Sequence, residues 1–398
     1  MGIGITFLGT GNYQKVVYSY NNTTVETEYF PFAFCKFFNL DEIYIVLTEE
    51  SKQKHFGSIE KLFQCCDNPP NLRQVSIPRG QNQDELWTIF DILSNSLPEK
   101  ASIYFDITHA FRSIPFMIFA VCNFLTVVKN VKIEKVVYGA YESKINNVAP
   151  VFDLTPFLEL INMSTAVNEF LRFGNSLSLK SILKKIHSES YKFNLPEKPK
   201  SLTPFADTLA NLTNALSIAR VEEAIRHSNK LAQKIQNFTQ EITHFNQTKP
   251  FSFLLNKIQD RFSNTALNFQ SIFSRDGFKV QLKLLDYYIE TEQYFPAITL
   301  AREIVVSFIA CRNGLNPKKR DHRAEVEQQL GKLAKDFENQ QNLNKYENDL
   351  GRLWSIVSTT RNDINHAGMN ENPMDTAKAI NNINKVCLLV KDFISKYD

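Results

Sequence analysis

The sequence predicts an α/β domain built on a mainly parallel, doubly wound sheet, followed by an all-α region. Three observations predict it. Short β-rich runs alternate with helical segments over the first 155 residues, the central runs are apolar almost throughout, and from Pro156 onward the pattern is almost entirely helical. Nearly all-apolar strands are what a parallel sheet covered on both faces requires. The boundary is placed at residue 155, giving domains 1–155 and 156–398, with a linker or subdomain break near 190–250.

The expected strands are 3–8, 16–20, 25–27, 43–47, 74–77, 102–106, 135–140 and 148–152. Strands 16–20 and 25–27 read as a hairpin, because Asn21-Asn22 between them is a turn signal. Helices are expected at 29–38, 58–66, 84–97 and 114–128. Pro156 suits the first position of the next helix, since its missing N–H is unneeded there. That helix, 157–173, is followed by others at 177–186, 204–230, 255–273, 279–290, 295–313, 324–337, 346–365 and 376–396. Breaks are marked at 194–199, 247–250 and 314–320 by their Pro, Gly and Asn content.

Composition narrows the function. The formal charge is +3. Residues 1–160 carry 13 Lys and Arg against 17 Asp and Glu, whereas the remainder carries 32 against 25, so the basic excess lies in the helical part, where it suits a polyanionic substrate. The 32 phenylalanines fall mostly at helical spacing and read as core. No apolar run reaches the ~20 residues of a bilayer span and the N-terminus has no basic n-region, so a cytoplasmic protein without a membrane segment is expected. Cys35, Cys65, Cys66, Cys122, Cys311 and Cys387 form no C-x-x-C pair and have no His cluster beside them. Reduced thiols are expected, and no metal site.

Two N-terminal loops are fitted to hold a ligand, because in a doubly wound sheet ligands bind beyond the carboxyl ends of the strands. Gly9-Thr10-Gly11-Asn12-Tyr13 follows the first strand directly. Its glycines admit a close backbone approach, and Thr10, Asn12 and Tyr13 offer polar or stacking contacts. It is not a dinucleotide fingerprint, since Gln14 stands where the third glycine would fall. The second loop gathers Asp106, Thr108, His109, Arg112 and Ser113 after a buried strand. Ser113 is placed to cap the apolar helix that follows, whose free N–H groups, with Arg112, would face an anion.

A third string, Arg361-Asn362-Asp363-Ile364-Asn365-His366, closes a helix before a Gly/Asn/Pro turn. A guanidinium can brace a pentavalent phosphorane and an imidazole can move protons to and from ribose oxygens, which suffices to cleave RNA without a metal. Five residues of helix rotate by ~500°, so Arg361 and His366 point ~140° apart. Either His366 leaves the helix, with Gly368 as terminator, or two-fold symmetry brings two copies together.

GTGNY after the first strand and DITHAFRSIP after a central strand resemble the ligand loops of CARF domains, and the nearest likeness is to the CRISPR-associated family marked by an Asp-x-Thr-His-Gly-Phe-Arg-Ser string. The terminal Arg-Asn-x3-His resembles the ribonuclease motif of HEPN domains, and the order is that of the CARF–HEPN accessory nucleases of type III CRISPR systems. Ala110 departs from the family's Gly. The resemblance implies a Rossmann-like CARF domain and a HEPN domain within the helical region. It also implies a cyclic oligoadenylate as allosteric activator, bound across a two-fold axis by Thr10, Gly11, Asn12 and Tyr13 of one loop and Thr108, His109, Ala110, Phe111, Arg112 and Ser113 of the other, with Tyr141 and Glu142 at the rim. The implied activity is an antiviral endoribonuclease acting on single-stranded RNA without a cofactor. Its expected form is a homodimer able to assemble further. Arg361, His366 and Asn362 are the implied catalytic set, giving 2′,3′-cyclic phosphate and 5′-hydroxyl ends. Asn362 and Asn365 are expected to orient His366 or the phosphate, Asp363 to tune the imidazole, and Arg302 and Glu303 to form a buried pair. Two alternatives stand beside this: a CARF sensor without ribonuclease activity, and a ring nuclease that degrades cyclic oligoadenylate. His322 lies in a basic cluster, read as a solvated loop or an RNA guide, and His227 and His244 have no convergent partners in sequence.

Overall fold

A computed structural model describes residues 2–110, 113–192, 198–242, 251–263, 271–369 and 371–398. The chain forms two compact units, Met1–Ile161 and Asn162–Asp398.

The first unit holds β1 (Gly2–Leu8), β2 (Val16–Tyr20), β3 (Thr23–Thr27), α1 (Phe30–Phe38), β4 (Glu42–Leu47), α2 (Glu49–Ser51), a π-helical turn at Lys52–Phe56 and α3 (Gly57–Gln64). It continues with β5 (Asn71–Ser76), α4 (Gln83–Ser96), β6 (Ser102–Asp106), α5 (Ile114–Val128), β7 (Lys132–Gly139) and β8 (Val148–Asp153). The strands form one sheet in the order β3-β2-β8-β7-β6-β1-β4-β5. It is parallel except at β2–β3 and β7–β8. Alternation sorts the side chains onto two faces. Ile3, Ile5 and Phe7 pack with α4 and α5 residues such as Ile89, Leu93, Ile118 and Leu125. Leu8, Ile43, Ile45 and Leu47 pack with Phe30, Phe34, Ile59 and Phe63 of α1 and α3. Helix α1 comes so close that a Cβ on Gly4 would lie 2.5 Å from Leu40 and 2.9 Å from Phe34.

The expected hairpin is present: Asn21 and Asn22 adopt φ of 46° and 66°. Two left-handed residues are what a two-residue type I′ connection needs. One expectation is corrected. The helix placed at 58–66 begins nine residues earlier, at Glu49, because Thr48 and Ser51 form a capping box directly after β4.

The second unit begins within α6 (Thr155–Phe173), at Asn162. It holds α7 (Leu177–Lys192), α8 (Leu202–Ser217), α9 (Val221–Ile242), α10 (Phe251–Ser263), α11 (Arg275–Glu290), α12 (Tyr294–Arg312), α13 (Arg320–Glu338), α14 (Lys345–Asn365) and α15 (Thr376–Tyr397). The helix expected at 204–230 is two helices. The chain turns at Ala219, whose φ is +54°, and the antiparallel return stacks Phe205 on Phe238 at 4.5 Å. The helix expected to reach Phe273 does not: Ser271–Ser274 form a turn, and Ser274 accepts from the Gly277 N–H to cap α11. The expected breaks at 194–199 and 247–250 lie largely or wholly outside the described residues, as does His244. Helix α12 is long and apolar enough by composition to cross a membrane, but Pro296–Ile298, Leu300, Ala301 and Ile304–Ala310 are buried in the core of this unit, so it is a core helix.

Candidate functional site

The carboxyl ends of β1, β4, β6 and β7 share one edge of the sheet, and β1 and β6 are neighbours there. Chain order reverses between them, with β4 and β5 on one side and β7 on the other, so the crevice at the switch point lies between loops 9–13 and 107–110.

The loop after β6 is pinned from below. Asp106 is fully buried. Its Oδ2 accepts from Thr6 Oγ1 of β1 at 2.5 Å and its Oδ1 from the Thr108 N–H at 2.8 Å. Thr108 Oγ1 in turn accepts from the Gly139 N–H at 2.8 Å. Burial raises the Asp106 carboxyl to about 6, against the lowering effect of these hydrogen bonds. Asp106 and Thr108 thus tie three strands, β1, β6 and β7, together beneath the loop.

The loop after β1 closes on itself, Tyr13 Oη accepting from the Gly9 N–H at 2.8 Å and donating to the Gly9 carbonyl at 3.0 Å. The Tyr13 ring lies between the imidazoles of His55 and His109, at centroid distances of 4.5 and 4.2 Å. A Cβ on Gly9 would stand 3.1 Å from the His109 carbonyl, so a larger residue there would push the two loops apart by a few tenths of an ångström. Burial, then the charge of His55, lowers the His109 imidazole to about 4, and its buried Nε2 has no partner among the described residues. Burial also pushes the Tyr13 phenol well above its ordinary range.

Two residues from the π-helical turn after α2 hold this assembly, and the sequence reading missed both. Lys54 Nζ donates to the Thr10 carbonyl at 2.8 Å and to Asn12 Oδ1 at 2.7 Å. His55 Nε2 lies 2.8 Å from the Gly11 carbonyl. A carbonyl can only accept, so Nε2 carries the proton, and Nδ1 is left to accept from Tyr29 Oη at 3.3 Å. Both side chains sit in the π-helical turn, where one extra residue per turn changes the register of the helix beneath loop 9–13. The available signal was Thr48-x-x-Ser51 directly after an apolar strand, which marks a further helix start at the same edge.

Thr10, Gly11 and Asn12 are exposed, while Tyr13, Thr108, His109 and Ala110 are half-buried. Phe111 and Arg112 lie outside the described residues. Ser113 stands at the expected cap of α5, but its side chain makes no capping bond and its backbone is already helical. Tyr141 Oη donates to Gln14 Oε1 at 2.6 Å and accepts from Lys144 Nζ at 2.7 Å, forming an outer rim with the neighbouring Glu142, which is exposed.

In the second unit, α14 opens on an Asn344–Glu347 capping box and ends at Asn365. His366 is its C-cap, with φ −90°, and its N–H still bonds the Asn362 carbonyl at 3.0 Å. Ala367 and Gly368 then turn left-handed, and the Gly368 N–H closes on the Asp363 carbonyl at 2.9 Å. His366 is thus the first residue past the helix and is exposed, and Arg361 is half-buried. With its amide oxygen facing the guanidinium, Asn365 accepts from Arg361 Nε at 2.8 Å and Nη2 at 2.9 Å. Asn362 Oδ1 accepts from Nη1 at 3.3 Å. Both amides therefore address Arg361. The Asp363 carboxylate accepts from the Met374 N–H at 3.3 Å.

Arg302 and Glu303 are paired at 2.6 Å, but the Glu303 side chain is 39% exposed, so the expected buried pair is a half-buried network that also takes in Glu327 and Arg323. His322 Nδ1 accepts from the Asn316 N–H at 2.8 Å and shapes the turn before α13. No group of His, Cys, Asp and Glu suited to a metal ion occurs among the described residues.

Residues 3–144 match the family model for the CARF domain of the CRISPR system endoribonuclease Csx1, and residues 159–271 match that for the second domain of CRISPR-associated protein MJ1674. The CRISPR-associated protein MJ1674 of Methanocaldococcus jannaschii is 32% identical over 136 residues, covering 33% of this chain and 20% of the relative. The matched segment thus spans about a fifth of the length of that curated relative.

Proposed function

We propose that this CARF-containing, CRISPR-associated chain is an endoribonuclease for single-stranded RNA, switched on by a cyclic oligoadenylate bound at the sheet edge. The observation that carries the nuclease half is the end of α14, where Arg361 is held by Asn365 and His366 is the first residue beyond the helix. One guanidinium fixed in direction and one solvent-accessible imidazole are the groups that metal-free RNA cleavage uses. The ribose 2′-oxygen attacks its own phosphorus in line, losing its proton to an imidazole. Arg361 stabilises the added negative charge of the phosphorane, and the departing 5′-oxygen takes a proton, leaving a 2′,3′-cyclic phosphate and a 5′-hydroxyl. Two copies of α14 related by a two-fold axis supply the base and the acid, which answers the ~140° between Arg361 and His366 on one helix.

The test is cleavage of a fluorescent single-stranded RNA in EDTA, by wild type and His366→Ala, with and without cyclic tri-, tetra- and hexa-adenylate. Cleavage by wild type only, stimulated by one ring size, supports both halves. Ligand binding without cleavage by any preparation sinks the nuclease half. A second reading is favoured by His109, a neutral imidazole with an unpartnered Nε2 between the two loops. It could accept a ribose proton and let the sensor cleave its own ligand. That activity survives His366→Ala and is lost in His109→Ala.

A further inference from the structure

Two adjoining concavities lie in the second unit, and neither is lined by Arg361, Asn362, Asn365 or His366. One, of about 510 Å³, runs along α9 and is lined by Arg226, Asn229, Lys230 and Gln233 together with Glu222 and Ser271. The other, of about 350 Å³, lies where the α8–α9 turn, α11, α12 and the start of α13 come together, and includes Thr299, Lys318 and Arg323. Ile272 lines both. Lys318 lines the second and reaches the Glu222 carboxylate of the first at 2.6 Å.

The charge is the informative part. The two linings carry four cations, Arg226, Lys230, Lys318 and Arg323, against two carboxylates, Glu222 and Glu303. Both carboxylates are already occupied, Glu222 by Lys318 and Glu303 by Arg302 and Arg323. Arg226 and Lys230 have no ion pair among the described residues. They stand at i and i+4 on an exposed helix face, where like charges repel and oppose the helix. Burial, followed by these same two charges, holds the neighbouring His227 below its ordinary range. Asn229 and Gln233 form a parallel i, i+4 row of amides that can both donate and accept. At the far end Thr299 Oγ1 is buried with no partner among the described residues, and Lys318 lies 5.7 Å from the centre of the Phe273 ring.

We propose that this groove binds the sugar–phosphate backbone of single-stranded RNA, with Arg226 and Lys230 on successive phosphates and the amide row on ribose or base edges. A cationic track beside hydrogen-bonding amides and an aromatic ring is the combination that holds single strands without reading their sequence. Only the choice of RNA as the polyanion rests on the ribonuclease reading.

The experiment uses full-length His366→Ala protein, so that bound RNA stays intact, and a fluorescein-labelled 20-nucleotide RNA followed by anisotropy over a range of salt. Adding Arg226→Glu and Lys230→Glu raises the Kd tenfold or more and reduces the slope of log K against log salt by about 1.4, since each lost phosphate contact on a single strand removes about 0.7. Arg226→Gln with Lys230→Gln gives an intermediate loss, and unchanged thermal unfolding shows that the fold persists. An unchanged Kd and slope in the folded Glu variant overturn the groove, as does binding of anionic lipid vesicles in place of RNA. Loss of RNA binding in the variant, from a protein whose wild type cleaves nothing, leaves the groove standing and removes the nuclease reading. Cleavage with unaltered KM in the Glu variant does the reverse.

Discussion

Lys54 Nζ lies 2.7 Å from Asn12 Oδ1, and the same ammonium holds the Thr10 carbonyl at 2.8 Å. An exposed lysine in the π-helical turn that follows β4 and α2 thereby fixes the loop that follows β1, four residues of which are candidates for ligand contact. Lys54→Ala is expected to weaken cyclic oligoadenylate binding about tenfold, by releasing a loop that must then be ordered by the ligand itself. The fold should lose under about 1 kcal/mol, because the ammonium is at the surface. Calorimetric titration with the activating ring reads the first effect and thermal unfolding the second. An unchanged affinity would show that loop 9–13 stays in place without Lys54 or does not touch the ligand.

Asp106 and His109, three residues apart, pull the pH dependence of stability in opposite directions. The Asp106 carboxyl is raised to about 6, so its contribution is greatest in acid and is lost as pH rises from about 4 through 6. The His109 imidazole is lowered to about 4, so its contribution is present above the unfolded value near 6.5 and is lost as pH falls through about 4. Wild type should therefore show a shallow profile between pH 4 and 6.5. Asp106→Asn leaves the histidine unopposed, and its stability should fall steadily with acidification. His109→Gln leaves the carboxyl unopposed, and its stability should rise, by an amount on the order of 3 kcal/mol across the window. Urea unfolding at several pH values separates these slopes, and parallel profiles for the two variants would refute the pairing.

Residues 1–153 were largely legible because a sheet covered on both faces demands apolar strands, and because Asn21-Asn22 adopts the left-handed turn that asparagine tolerates. Both candidate ligand loops were legible for the same reason, as glycine-rich or polar segments placed directly after such strands. The roles within them were not. A polar residue after a buried strand can face a ligand or a neighbouring backbone, and nothing in DITH says that Asp106 and Thr108 do the latter. Lys54 and His55 were invisible because a π-helical turn sets their direction, and no composition marks that turn. The end of α14 was half legible: Gly368 announced the stop, but the amides of Asn362 and Asn365 turned to Arg361.

The α8–α9 turn carries no Gly or Pro, which is why it reads as one continuous helix. Ala219 bears the cost, holding φ at +54° where an L side chain crowds its own backbone. Ala219→Gly is expected to stabilise the protein by roughly 0.5 kcal/mol, the relief of that crowding exceeding the added freedom of the unfolded chain. A rise in the urea midpoint at constant slope is the result that supports it. A fall would mean that the Ala219 methyl packs more than it strains.

Asn365 offers a way to separate holding Arg361 from performing chemistry. Its amide oxygen takes both Nε and Nη2, so it fixes the plane and direction of the guanidinium. Asn365→Ala should lower kcat about tenfold with KM little changed, because a mobile guanidinium still binds an RNA phosphate but meets the phosphorane less often in register. Asn365→Asp restores an acceptor for the same two donors and should recover most of the rate, whereas Arg361→Lys should not, since an ammonium cannot present two parallel N–H groups. Loss in both Asn365 variants alike would place the amide on the substrate. No loss in either would mean that Arg361 is aligned from elsewhere, as a second copy of α14 across the two-fold axis would do.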